Sequence, residues 1–122
     1  MNKPNPIASL QMAELAAAAA DEKSATDIVL IDVQSRLSLT DYFVVATAAN
    51  PRQVRAITDA VEEKLAEIGV KVTRCEGTNE GKWVLLDFTD VIVHIQDAEA
   101  REYYDLPRLW RDCPTQPFAR VA

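Results

Sequence analysis

Residues 81–96 read GKWVLLDFTDVIVHIQ, and the alternation inside this stretch decides the fold. Two runs rich in β-branched and aromatic residues flank a polar pair, Thr89-Asp90, which is the pattern of a β-hairpin. Successive strand side chains point to opposite faces, so Val84, Leu86, Phe88, Val91, Val93 and Ile95 form one apolar face. Trp83, Leu85, Asp87, Ile92, His94 and Gln96 form a second, mixed face. The first face must be buried. The second, part apolar and part acidic, is either one side of a two-sided core or a docking surface.

Outward from the hairpin, residues 27–33 (DIVLIDV) and 41–47 (DYFVVAT) are predicted strands, the second of them central, joined by a polar turn over 34–40. Residues 7–23 are alanine-rich, with Ile7, Leu10 and Leu15 among the larger apolar contacts, and alanine is the best helix former. Asn50 can cap a helix that has Pro51 at its first position and Gln53 placed for a capping box. Val54, Ile57, Val61, Leu65 and Ile68 then recur at spacings of three and four, and Gly69 is placed as a left-handed cap. A short strand over 70–75 and a loop over 76–81 lead into the hairpin. Asp97 can cap a last helix over 98–105, which Pro107 restarts or bends before Leu109 and Trp110. The expected fold is an α/β (α+β) domain, a mixed β-sheet of about five strands flanked by helices. Residues 1–6 are expected to be a frayed arm, 7–112 the single domain, and 113–122, with Pro114 and Pro117, a disordered tail.

A chain of 122 residues has room for one hydrophobic core, and 48% hydrophobic with 26% charged residues is ordinary globular composition. The net charge of -6 is spread along the chain with no basic arm or face, which disfavours direct contact with the phosphates of DNA or RNA and favours a basic protein partner. Cys75 and Cys113 form no CxxC pair and read as free thiols of a reducing compartment. The alanine run at 16–20 is flanked by Glu14 and by Asp21-Glu22-Lys23, unlike a secretory segment. No stretch approaches the roughly 20 apolar residues of a membrane span, so a cytoplasmic location is expected.

Catalytic chemistry finds few footholds. His94 is the only histidine, and its place inside a strand between Val93 and Ile95 marks a structural residue rather than a general base. Two isolated cysteines and one histidine do not make a zinc site, and the three glycines show neither GxGxxG nor GxxxxGKS spacing, so no metal or cofactor is expected. A nucleotidyltransferase would need two carboxylates at i and i+2 on one strand to hold magnesium. Asp27 and Asp32 are five apart, and Asp87 and Asp90 straddle the turn. Glu62, Glu63 and Glu67 read as a solvated helix face. Tyr103, Tyr104, Leu106, Leu109 and Trp110 read as packing of the last helix on the sheet.

DIVLIDV, SLTDYFVVATA, NPRQVRAITDAVEEKL, EGTNEGKWVLLDFTDVIVHI and REYYDLPRLW, in that order, resemble the ribosomal silencing factors, the Iojap-related proteins. The likeness runs from about Thr26 to Arg111. It implies a nucleotidyltransferase-like core without the catalytic carboxylates, and a translational repressor rather than an enzyme. Such a repressor binds the large ribosomal subunit through universal ribosomal protein fourteen, blocks joining of the small subunit when nutrients are short, and forms homodimers. It places Trp83 and Phe88 at the partner, with Asp87 and Asp90 as mates for basic residues and Leu85 on the same hairpin. A role in large-subunit assembly would use the same face. An ideal hairpin turns Trp83 and Phe88 to opposite faces, so meeting one partner would require a bulge, an edge position or the turn itself. Trp83 has two other possible places, the core or a homodimer seam. The chain departs from the family pattern at Thr89, where glycine is usual, at residues 47–50, and at Pro107.

Overall fold

The computed structural model describes residues 8–118. The element order is α1 (Ser9–Glu22), β1 (Thr26–Asp32), β2 (Tyr42–Ala48), α2 (Pro51–Ala66), β3 (Arg74–Glu76), β4 (Trp83–Asp87), β5 (Val91–Asp97), α3 (Ala98–Tyr104), the one-turn α4 (Leu106–Leu109) and β6 (Thr115–Pro117). The strands form one mixed sheet in the order β3-β4-β5-β2-β1-β6. β2 and β5 are parallel neighbours and every other pair is antiparallel. The predicted central strand is therefore central. The expected frayed arm, residues 1–6, lies outside the described residues.

Local chemistry sets the helix ends. Asn50 Oδ1 accepts from the Gln53 amide at 2.8 Å, and Gln53 Oε1 accepts from the Ala49 amide at 2.6 Å, the reciprocal arrangement of a capping box shifted by one residue. Gln53 Nε2 also donates to the Lys23 carbonyl at 3.0 Å, which ties the end of α1 to the start of α2. At the other end Gly69 takes φ +81°, and the Val70 amide reaches back to the Leu65 carbonyl at 2.9 Å.

Both long helices cover the same face of the sheet. Met12, Ala13, Ala16, Ala17 and Ala20 of α1, with Val54, Ile57, Val61 and Leu65 of α2, are buried against Leu30, Val44, Ala46, Leu86, Val93 and Ile95. Small alanine side chains let α1 lie close to its neighbours while still removing apolar surface from water. The opposite face carries a smaller cluster of Ile31, Val33, Phe43, Val45, Leu106 and Cys113, with Trp83, Ile92 and Trp110 half-buried around it.

Within the expected tail, residues 113–118 differ from expectation, and 119–122 lie outside the described residues. Thr115–Pro117 pairs with the outer edge of β1 as a sixth strand, and Cys113 is buried. The Asp32 amide donates to the Pro114 carbonyl, and the Phe118 amide donates to the Ile28 carbonyl, both at 2.8 Å. A proline offers no N–H, but an edge strand needs donors on one side only, so two prolines are compatible with pairing there.

Candidate partner-binding face

The hairpin pairs Trp83 with Gln96, Leu85 with His94 and Asp87 with Ile92, and interleaves Val84–Ile95 and Leu86–Val93 on the other face. The two faces are those of the alternation. Because α1 and α2 cover only one of them, Trp83, Leu85, Asp87 and Ile92 stay partly exposed on the other.

Trp83 is held at its edge and on its ring. Its Nε1–H donates to His94 Nδ1 at 3.1 Å, and the Tyr104 ring of α3 lies 4.6 Å from the indole centroid at an interplanar angle of 48°. Tyr103 meets Tyr104 edge-on at 5.0 Å and is 80% exposed. Below Trp83, His94 meets Phe43 at 4.9 Å, and Phe43 meets Trp110 at 4.8 Å, both edge-to-face, the favoured geometry for such pairs. Arg36 lies over Trp110 at 4.2 Å and pairs with Asp112 at 3.2 Å. Leu106 and Trp110 thus pack on the sheet as expected. Tyr103 and Leu109, 62% exposed, do not, because α3 and α4 are short and present their outer sides to solvent.

His94 is buried among apolar rings, and that burial lowers its pKa to about 4. It is therefore neutral at physiological pH, with Nδ1 as the acceptor and the proton on Nε2. Nε2 has no hydrogen-bond partner among the described residues, and neither do the amide atoms of Gln96, which is fully buried. Arg101 of α3 donates to Thr47 Oγ1 at 2.6 Å; burial lowers its pKa, partly offset by Asp27 and Asp105.

Phe88 lies on the buried face that the alternation assigns to it, not at the partner surface that the family resemblance implies. It is 5% exposed and belongs to the helix-side core with Val84 and Leu86, so it does not share a surface with Trp83. No bulge interrupts the β4–β5 register, and strand parity keeps the two apart. The turn from β4 to β5 is built by side chains. Asp87 Oδ1 accepts from the Thr89 amide at 2.8 Å, and Thr40 Oγ1 donates to the Thr89 carbonyl at 2.9 Å. The Asp90 carbonyl accepts from the Asp41 amide at 2.8 Å, which joins the turn to the start of β2. Asp87 and Asp90 are half-buried at one end of the face, and Glu99 and Glu102 are exposed on α3 near the other. The result is an aromatic and aliphatic patch with carboxylates at its margins, suited to binding and recognition. Among the described residues no three His, Cys, Asp or Glu side chains are grouped to hold a metal, and no helix is long and apolar enough to cross a membrane.

Sequence reading missed His94 and Tyr104 as supports of Trp83. The His94 contact was available from register alone, since Trp83 and His94 are diagonal neighbours on one face of an antiparallel pair. The Tyr104 contact depends on where α3 packs, and no local pattern carries that.

A family profile described as "Ribosomal silencing factor during starvation" matches residues 6–122. The ribosomal silencing factor of Bacillus subtilis is 39% identical over 101 residues, covering 83% of this chain and 86% of its own length. A crystal structure of protein CV0518 from Chromobacterium violaceum is 35% identical and superposes with a TM-score of 0.83 over 95% of this chain and 96% of its own. A mouse protein named for mitochondrial assembly of the ribosomal large subunit is 27% identical over 92 residues, covering 73% of this chain and 40% of its own length. The chain belongs to the ribosomal silencing factor family, a family named for regulation rather than catalysis.

Proposed function

We propose that this protein is a cytoplasmic translational repressor that docks on the large ribosomal subunit through universal ribosomal protein fourteen and so blocks joining of the small subunit. The observation that carries the reading is the half-exposed Trp83, with Leu85, Ile92 and Tyr104 around it, on the sheet face that the two long helices leave uncovered. A desolvated tryptophan surrounded by lesser contacts is the usual centre of a protein interface, and carboxylates at the margin steer a basic partner. Asp87 and Asp90 fill that second role, while Phe88 buttresses the turn from inside. A standard interface would remove roughly 800 Å² on each side. Silencing then needs occupancy alone.

Purified wild type is expected to travel with the large subunit in a sucrose gradient and to deplete joined ribosomes. Trp83→Glu, folded by circular dichroism, is expected to do neither; a folded Trp83→Glu that still co-sediments would remove Trp83 from the site. A homodimer formed through the same patch would compete with the ribosome, leaving the monomer as the active species. A dimer that persists on the large subunit rules that competition out.

The name of the mouse relative favours a second reading, in which the same docking acts during large-subunit assembly. Accumulation of immature large subunits in well-fed cells lacking the protein would point to that role; a defect confined to starvation would point to silencing.

A further inference from the structure

We propose that His94 is a positioning residue for partner binding, its Nδ1 lone pair holding the Trp83 indole in the one orientation that the partner meets. The proposal rests on the reading of Trp83 as the centre of the interface. Its geometry is the 3.1 Å hydrogen bond from Trp83 Nε1 to His94 Nδ1, together with Tyr104 packed at 4.6 Å on the indole. With its single polar atom turned to His94, the rest of the indole offered to a partner is carbon.

The chemistry of the slot says why an imidazole stands there. His94 is 5% exposed, lies edge-on to Phe43, and leaves Nε2 without a partner among the described residues. A phenyl ring would fill the same apolar slot without burying an unpaired N–H. What imidazole supplies and phenyl cannot is the acceptor. Burial keeps the ring neutral, which keeps Nδ1 an acceptor at physiological pH. A side chain fixed before binding loses less rotamer freedom on association, so the bond strengthens docking without touching the partner.

The test compares wild type, His94→Phe, which keeps the ring and removes the acceptor, and His94→Asn, whose Oδ1 falls near the place of Nδ1. Thermal melts establish folding, and His94→Leu replaces the phenyl variant if that one does not fold. Two readouts are taken: the indole N–H resonance of Trp83 and the affinity for isolated large subunits. His94→Phe is expected to shift the resonance upfield and to weaken binding about tenfold, the scale of one net hydrogen bond. His94→Asn is expected to recover most of both. An unmoved indole resonance, wild-type affinity in His94→Phe, or a folded His94→Asn as weak as His94→Phe each overturns the positioning role. If wild type itself fails to bind large subunits, the ribosomal reading falls and this proposal with it.

Discussion

Thr89 and His94 each occupy a place that ordinary propensity would give to another residue. Thr89 holds φ +73°, a left-handed conformation costing a residue with a Cβ about 1–2 kcal/mol. The bonds from Asp87 and Thr40, and a 3.3 Å contact between the Thr89 and Thr73 hydroxyls, offset that cost. The departure from glycine therefore leaves the hairpin intact. For His94 the consequence is a pH dependence. An unfolded histidine titrates near 6.5 and the folded one at about 4, so as pH falls the unfolded chain takes up the proton first. The stability due to neutral His94 is whole above pH 6.5, declines as pH falls, and is gone below 4, a loss of roughly 3 kcal/mol. Urea midpoints measured from pH 7.5 to 5 should fall in wild type and stay flatter in His94→Phe. Equal slopes would show that His94 is not desolvated in solution.

At the scale of elements, what was legible was what local rules determine. Asn50, Pro51 and Gly69 mark the two ends of α2, and the 3.6-residue stripe of Val54, Ile57, Val61 and Leu65 is buried as a stripe. β6 was not legible, because Pro114 and Pro117 signal a break wherever the neighbouring strand is unknown. Its stability comes from β1, whose paired residues Val29, Leu30 and Ile31 lie far earlier in the chain, through paired backbone and the burial of Cys113 beside Ile31 and Val33. Removing residues 113–122 should therefore cost roughly 2–3 kcal/mol, from lost ladder bonds and uncovered apolar surface. Denaturant titration of the shortened chain measures this, and an unchanged midpoint would mean that β6 contributes nothing.

For the whole molecule, a net charge of -6 with carboxylates beside an aromatic patch predicts salt-sensitive docking on a basic protein. Isolated universal ribosomal protein fourteen, the partner proposed above, serves as the probe, since ribosomal RNA would add its own repulsion. Raising ionic strength from about 0.1 M to about 1 M shortens the screening length from roughly 10 to 3 Å and should slow association by about tenfold. A salt-independent on-rate would leave the apolar patch as the sole determinant. By itself the sequence determined which side chains share a face, where α2 begins and ends, and which family motifs are present, because each is written within a few neighbouring residues. Only the tertiary structure decided which sheet face stays uncovered, that residues 115–117 add a sixth strand to β1, and that Tyr104 packs on Trp83. Those outcomes depend on α1 and α2 packing on one side, short α3 and α4 on the other and β6 on the edge of β1, contacts between distant segments that no local period encodes.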